Sequence, residues 1–181
     1  MYKIPFTQLM IDRAIQRAKE FSPSARRSQV KHSGTGLSNV KVAGFLAEEA
    51  VAAHLEAELV LGEDRYDYDL ILPDGTHTEV KSKRRTVAPQ FNYEVSVYQV
   101  SRHQKPDLYM FCSLQYERSH KILNTIQYDN LQHIWLLGQK TPADFFKKAV
   151  LWDKGDYDER NELILKSKSY NREIKDLDEI S

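Results

Sequence analysis

Residues 67–81 read DYDLILPDGTHTEVK, in which two runs of alternating polar and apolar residues flank the tripeptide Pro73-Asp74-Gly75. Proline and glycine around an aspartate are a strong turn signal, and alternation with a period of two is typical of strands that bury one face. The segment therefore predicts an antiparallel hairpin with a three-residue loop. In this hairpin Leu70 faces Thr78 and lies on the same apolar face as Val80.

The same register places four charged side chains on the other face of the hairpin, namely Asp67, Asp69, Glu79 and Lys81. Asp69 and Glu79 face each other directly, and like charges at opposed positions destabilise a strand pair. A divalent cation with oxygen ligands would neutralise the two carboxylates, and Lys81 would add an ammonium beside them. The alternative interpretation is that the four residues form the solvated face of a half-exposed hairpin.

A second unusual charge placement occurs on the helix expected over residues 40–58, for which Ser38 or Asn39 provides the N-cap. The apolar stripe of this helix contains Glu49, and Glu48 lies on the flank of the stripe. A carboxylate at the edge of a buried helix face is costly unless it is paired or binds a metal. Either glutamate is therefore a candidate functional residue, and a pair of surface glutamates without a function is the alternative.

Length and composition exclude several classes of protein. The chain has 181 residues, 41% of them hydrophobic, and its 26 Lys and Arg balance 26 Asp and Glu. This balance excludes a wholly basic nucleic-acid-binding protein and a disordered polyelectrolyte. The single cysteine, Cys112, excludes a disulfide framework and a multi-thiolate zinc site, and we interpret it as a core residue of a reducing, cytoplasmic protein. We expect neither a signal peptide nor a membrane-spanning segment.

The element signals predict an α/β protein with one core and two extensions. Residues 1–40 are expected to form an N-terminal helix and basic loop, residues 41–152 the core, and residues 153–181 an acidic C-terminal extension packed on the core. The predicted helices cover residues 7–20, 40–58 and 141–150, the last opened by Thr141-Pro142, and a short helix is one interpretation of residues 98–105. The predicted strands cover residues 66–72, 76–81, 91–97, 108–114 and 134–137.

The order of these segments resembles that of a known nuclease family. A helix with Gly44 and Glu48-Glu49, a strand with Tyr68-Asp69-Leu70-Ile71 and a strand with Glu79-Val80-Lys81 follow one another along the chain. This arrangement resembles the PD-(D/E)xK nuclease superfamily, whose restriction-endonuclease-like fold is shared by Holliday-junction resolvases and by phage and repair endonucleases. The motifs of the resemblance span residues 44–81.

The sequence departs from the family pattern at one position and offers two candidates for another. Tyr68 stands where the family has the proline that gives it its name. The spacing from Gly44 favours Glu48 as the helix carboxylate of the family, whereas the helical wheel favours Glu49. We take Glu48.

The resemblance implies a fold, a reaction and roles for individual residues. It implies a central mixed β-sheet flanked by helices and a Mg²⁺-dependent DNA endonuclease in which Mn²⁺ can replace Mg²⁺. Asp69, Glu79 and the backbone carbonyl of Val80 would hold the metal. Lys81 would orient or deprotonate the attacking water, and Glu48 would hold a water or a second ion.

The implied partner is DNA, and the fold also allows a homodimer, whereas no membrane and no organic cofactor are expected. Gln99 is a weaker candidate for orienting a phosphate or a water. The predicted phosphate-binding residues, which would position DNA without reading its sequence, are Lys83, Arg84, Arg85, Arg26, Arg27 and Lys31. The alternative function is a non-catalytic, nuclease-like DNA-binding or assembly subunit, and a phosphodiesterase acting on RNA or nucleotides is a third interpretation.

Overall fold

The computed structural model of the protein describes residues 1–20, 39–61, 67–117, 130–159 and 163–180. In chain order the elements are β1 (Tyr2–Ile4), α1 (Gln8–Glu20), α2 (Asn39–Leu55), β2 (Glu58–Leu59), β3 (Leu70–Ile71), β4 (His77–Arg85), β5 (Glu94–Tyr98), β6 (Leu108–Tyr116), β7 (Leu131–Lys140), α3 (Pro142–Lys148), β8 (Val150–Trp152), β9 (Tyr157–Asp158), β10 (Leu163–Ile164) and β11 (Ser169–Glu173). Among the described residues, no helix is both long and apolar enough to cross a membrane.

Six strands form the main sheet in the order β1-β7-β6-β4-β3-β2, in which β4 and β6 are parallel and the other neighbours are antiparallel. Helices α1 and α2 pack on one face of this sheet. Helix α3 and residues of a smaller sheet, with the order β5-β11-β8, pack on the other face. A mixed sheet flanked by helices confirms the predicted α/β class.

Strand β6 separates the two hydrophobic cores because its side chains alternate between the faces of the sheet. Met110 and Cys112 contribute to the core under α1 and α2. Tyr109 and Phe111 contribute to the other core, where Phe111 stacks on Phe145 of α3 at 5.2 Å between ring centroids. Cys112 is 1% exposed, and burial raises the pKa of its thiol to about 12, so it is a core residue as predicted.

The predicted register of the hairpin is confirmed. Leu70 pairs with Thr78 and Ile71 with His77 in an antiparallel ladder. Leu70 and Val80 both lie in the core under α2, which leaves the alternate residues of β4 on the opposite face. The turn closes because Gly75 adopts a left-handed φ of 88° and donates its N–H to the carbonyl of Leu72 at 2.8 Å.

The first strand of the hairpin is shorter than predicted. Of residues 67–72 only Leu70–Ile71 form β3, and residue 66 lies outside the described part of the chain. The N–H of Asp69 still bonds to β4, but its carbonyl accepts from Val60 on the other side. Asp67 is exposed in a turn before this point, so it is not paired with Lys81.

The N-terminal residues that the sequence assigns to an extension build part of the main sheet. Strand β1 pairs with β7, with Tyr2 opposite Leu136. Helix α1, which matches the prediction for residues 7–20, contributes Ile11, Ala14 and Ala18 to the core. These residues are therefore continuous with the fold that carries the hairpin.

The ends of the other elements have local causes. Helix α2 stops at Leu55, before the predicted residue 58, because Glu56 adopts a left-handed φ of 55°. Helix α3 begins as predicted, since the side chain of Thr141 accepts from the N–H of Asp144. Residues Gln99–His103 form a 3₁₀ helix rather than an α-helix.

We predict that Gly138→Ala destabilises the fold by about 2 kcal/mol or more. Gly138 has a φ of 150°, and an added Cβ would lie 2.7 Å from the Cβ of Leu177 and 2.8 Å from the carbonyl oxygen of Asp178. Gly44→Ala is the matched control, because nothing lies within 4 Å of its added Cβ in helix α2. The control should raise stability by about 0.5–1 kcal/mol. Chemical denaturation measures both changes, and equal effects of the two substitutions would contradict the described packing.

Candidate active site

Side chains from β4, from the residue before β3 and from helices α1 and α2 form one electrostatically coupled group. We call this group the acidic corner, and its members are Glu48, Glu49, Asp69, Glu79, Arg17 and Lys81. Hairpin pairing brings Asp69 beside β4, and packing of α1 on α2 brings Arg17 to the two glutamates.

On the hairpin side, three polar side chains form a closed ring of hydrogen bonds. The ammonium of Lys81 donates to Oε1 of Glu79 at 2.6 Å and to Oε1 of Gln104 at 2.9 Å. Nε2 of Gln104 donates to the same Glu79 oxygen at 2.8 Å. Lys81 thus has two hydrogen-bond acceptors, which are themselves joined by a hydrogen bond.

The second oxygen of Glu79 is the unusual atom of the corner. Glu79 is 5% exposed, and its Oε2 is buried with no hydrogen-bond partner in the described structure. A buried acceptor without a partner carries its full desolvation cost, about 1–3 kcal/mol and more for a charged group. Nearby, Oδ2 of Asp69 accepts from the N–H of Val80 at 2.8 Å, which fixes the Asp69 carboxylate against β4.

On the helix side, one arginine holds both glutamates. Arg17 lies 2.7 Å from Oε2 of Glu48 and 3.4 Å from Oε1 of Glu49, and its guanidinium lies 4.5 Å from the ring centroid of Phe45. The cation–π contact and the ion pairs restrict Arg17 to one position. Arg13 lies 4.0 Å from Glu49, but its side chain is 60% exposed, so water screens its charge.

The carboxylates of the acidic corner influence one another electrostatically. Burial raises the pKa of Glu48 to about 7, the Glu79 and Glu49 charges add to this effect, and Arg17 opposes it. Desolvation also raises the pKa of Asp69 well above its ordinary value, and the Glu48 and Glu79 charges raise it further, against Lys81 and the N–H of Val80. Because the charge of Glu48, and not that of Glu49, raises the pKa of Asp69, Glu48 is the helix glutamate that is coupled to the hairpin.

The charge balance of the acidic corner suits a divalent cation. Four carboxylates face the two cations Arg17 and Lys81, which leaves two negative charges uncompensated when all groups are ionised. Within the described ranges, no group of three or more His, Cys, Asp and Glu side chains is arranged to hold a metal. Mg²⁺ does not require one, because it is commonly bound through one or two carboxylates and keeps several waters. The unpartnered Oε2 of Glu79 and the carboxylate of Asp69 are oxygen donors of that kind.

The structure brings together the four predicted catalytic residues and adds two that the sequence did not indicate. Glu48, Asp69, Glu79 and Lys81 all belong to the acidic corner. Gln99 is exposed on its 3₁₀ helix, and Gln104 occupies the polar position in the corner instead. The other unpredicted residue, Arg17, lies beside the apolar stripe of α1, but its partners are more than 30 residues away in sequence.

Three of the six predicted phosphate-binding residues lie on β4, where their side chains alternate between its two sides. Lys83 and Arg85 point to the same side of β4 as Lys81 and line a cavity, whereas Arg84 is exposed. The remaining three, Arg26, Arg27 and Lys31, lie outside the described residues. Their contact with nucleic acid stays a prediction.

The chain matches no protein-family model, and no curated protein matches its sequence. Function is therefore inferred from the acidic corner and its surroundings.

We predict that Glu48→Gln raises the free energy of unfolding relative to the wild type, and that this gain is larger at pH 8 than at pH 5. The folded pKa of about 7 exceeds the unfolded value of about 4.3, so the folded state binds more protons between these values. The free energy of unfolding of the wild type therefore falls as pH rises through this window, and the variant lacks that loss. From pH 5 to pH 8, the difference in the free energy of unfolding between variant and wild type should grow by an amount on the order of 2 kcal/mol.

Denaturation with chelator at both pH values measures this difference. The control is Asp67→Asn, which removes an exposed carboxylate of the same hairpin and should change stability by less than about 0.5 kcal/mol. A constant difference between wild type and Glu48→Gln at the two pH values would mean that Glu48 is not a strained carboxylate.

Proposed function

We propose that the protein is a Mg²⁺-dependent DNA endonuclease with a restriction-endonuclease-like fold, acting in a phage, repair, recombination or restriction process, and that Mn²⁺ can replace Mg²⁺. The observation that carries the proposal is the acidic corner, in which one oxygen of Glu79 bonds to the ammonium of Lys81, the other is buried without a partner, and Glu48 and Asp69 have raised pKa values. The buried thiol of Cys112 is compatible with the cytoplasmic location that we include in the proposal.

Asp69, Glu79 and the carbonyl of Val80 would hold the metal, whose chemistry when bound is to neutralise charge on the scissile phosphate and acidify a water. Gln104 accepts a second hydrogen bond from Lys81 and donates one to Glu79. The ammonium therefore stays at the corner to orient the attacking water and to stabilise the phosphate oxygens in the transition state.

Glu48 is the proton-accepting group in this proposal. Arg17 fixes its carboxylate in the corner, and a pKa of about 7 leaves it partly ionised near neutral pH. A group with such a pKa is well suited to hold a water and accept its proton. In this proposal Asp69 and Glu79 hold the metal, Lys81 orients the water, and Glu48 accepts its proton.

The acidic corner favours an enzyme over a non-catalytic DNA-binding subunit. Carboxylates repel the phosphate backbone when they are ionised, so a cluster of four would weaken binding in a protein that only holds DNA. Buried carboxylates with raised pKa values also reduce the stability of the fold. Weaker DNA binding and lower stability are both expected if the carboxylates bind a cation and take part in a reaction.

We predict that Asp69→Asn, Glu79→Gln and Lys81→Met each lower the rate of plasmid cleavage by about a hundredfold or more. Each substitution removes a charge of the acidic corner while keeping a side chain of similar size. Supercoiled plasmid incubated with Mg²⁺ or Mn²⁺ gives the rates, and chelator should abolish cleavage. Asp67→Asn is the matched control and should cut at the wild-type rate, because Asp67 lies exposed outside the ladder.

Wild-type cleavage rates in the three corner variants would refute the assignment of the active site. Metal-independent, salt-sensitive DNA binding without cleavage, unchanged by the three substitutions, would support the non-catalytic alternative instead. Cleavage of RNA but not of DNA would retain the site and correct the substrate.

A further inference from the structure

A cavity of about 930 Å³ lies beside the acidic corner. Its lining comes from β4, from the smaller sheet and from the β9–β10 segment, and it includes Lys83, Arg85, Tyr98 and Tyr157. Ligand-binding pockets in proteins typically have volumes of about 300–1,000 Å³. The cavity is therefore large enough for a small organic group and too small for a DNA duplex.

The cavity and the acidic corner share one strand face. Lys81, Lys83 and Arg85 are alternate residues of β4, so they follow one another on this face at intervals of about 6.7 Å. This interval resembles the distance between neighbouring phosphates of one DNA strand. Tyr98, at the rim of the cavity, ends β5 shortly before the segment that places Gln104 against Lys81. A strand bound at the corner can therefore continue into the cavity.

Lys83 gives the cavity a site for one anionic group. In the described part of the chain, Lys83 makes no hydrogen bond and no ion pair, although it lines the cavity. Burial lowers the pKa of its ammonium to about 8, Arg85 lowers it further, and Glu94 and Asp158 oppose the shift. Lys83 is half-buried, and a phosphate beside it would stabilise its ammonium by charge attraction.

The remaining lining suits an aromatic ring with polar edges. Tyr98 is 52% exposed and Tyr157 is 56% exposed, so about half of each residue is accessible to a ligand. Ser96 and Glu159 supply a hydroxyl and a carboxylate on the lining. Bases stack on aromatic side chains, and carboxylates accept hydrogen bonds from base amino groups.

The overall charge of the cavity limits how many phosphates it can hold. Its lining carries as many acidic as basic side chains, namely Glu94, Asp158 and Glu159 against Lys83, Arg85 and Lys166. Such a neutral lining disfavours a polyphosphate. It fits a ligand with one negative charge and one aromatic group.

We propose that the cavity binds an unpaired nucleotide of the DNA strand held at the acidic corner, with its phosphate at Lys83 and its base on the rings of Tyr98 and Tyr157. This inference rests on the proposed nuclease function and narrows its substrate to DNA with unpaired nucleotides. A base paired and stacked within a duplex cannot enter the cavity. An unpaired base enters at little cost, because no pairing or stacking has to be broken.

The test compares two DNA molecules in binding experiments with chelator, so that no cleavage occurs. One is a fluorescent duplex with a central run of unpaired thymidines, and the other is the fully paired duplex of the same flanking sequence. The wild type should bind the bulged DNA about tenfold more tightly, since stacking contributes about 1–3 kcal/mol per base. The double variant Tyr98→Leu, Tyr157→Leu should lose this preference.

Tyr2→Leu is the matched control, because Tyr2 is an exposed tyrosine on β1, at the opposite edge of the main sheet. It should keep the preference, and thermal melting should show that all variants are folded. Equal affinity of the wild type for the two DNA molecules would overturn the inference, as would a preference that survives the double substitution. Binding of thymidine monophosphate as tightly as of the bulged duplex would also overturn it, because the cavity would then serve free nucleotides.

The failure of this inference can be distinguished from the failure of the nuclease proposal. If the plasmid is cleaved with Mg²⁺ but the bulged DNA is not preferred, only the role of the cavity is wrong. If the bulged DNA is preferred and the preference depends on Tyr98 and Tyr157, but no metal ion supports cleavage, the cavity still binds unpaired DNA and the catalytic proposal is wrong.

Discussion

The candidate site depends on the electrostatic coupling of carboxylates that come from three parts of the fold. Asp69 directly precedes β3, Glu79 lies on β4 and Glu48 lies on α2, and the charges of Glu48 and Glu79 both raise the pKa of Asp69. The cations Arg17 and Lys81 oppose this repulsion through ion pairs with Glu48 and Glu79. A negative charge is left in a place where water cannot easily solvate it.

The rest of the architecture keeps this charge in position. Strand β4 is flanked on both sides in the main sheet, and one of its faces is fixed in the core by Val80 and Thr78. Its other face consequently presents Glu79 and Lys81 from a rigid element, which gives better positional control than a loop would. Stability is lost in this arrangement, since raised carboxylate pKa values oppose folding at neutral pH. Such a loss is common where side chains are placed for chemistry rather than for packing.

The sequence predicts the parts of this arrangement that depend on neighbouring residues. The hairpin register follows from the turn and from alternation over a few residues, and the Thr141 cap is equally local. Contacts over long sequence distances leave no comparable pattern. Arg17 meets Glu48 across 31 residues, and Gln104 meets Glu79 across 25.

The same limit applies to the smaller sheet. Its strands β5 and β11 pair Glu94 with Glu173, and neither strand alone predicts its partner. Strand β1 has three residues, too few to show a period of two. The cavity cannot be predicted from the sequence, because its lining comes from strands that meet only after folding. The alternation of Lys83 and Arg85 on β4 is the part of this lining that the local sequence displays.

The most direct test of the acidic corner is anomalous X-ray scattering from crystals of the protein grown with Mn²⁺. We expect an anomalous peak in contact with the carboxylate oxygens of Asp69 and Glu79, with Lys81 still bonded to Gln104. An absence of any peak at the corner at high Mn²⁺ concentration, with Lys81 still bonded to Glu79, would contradict it.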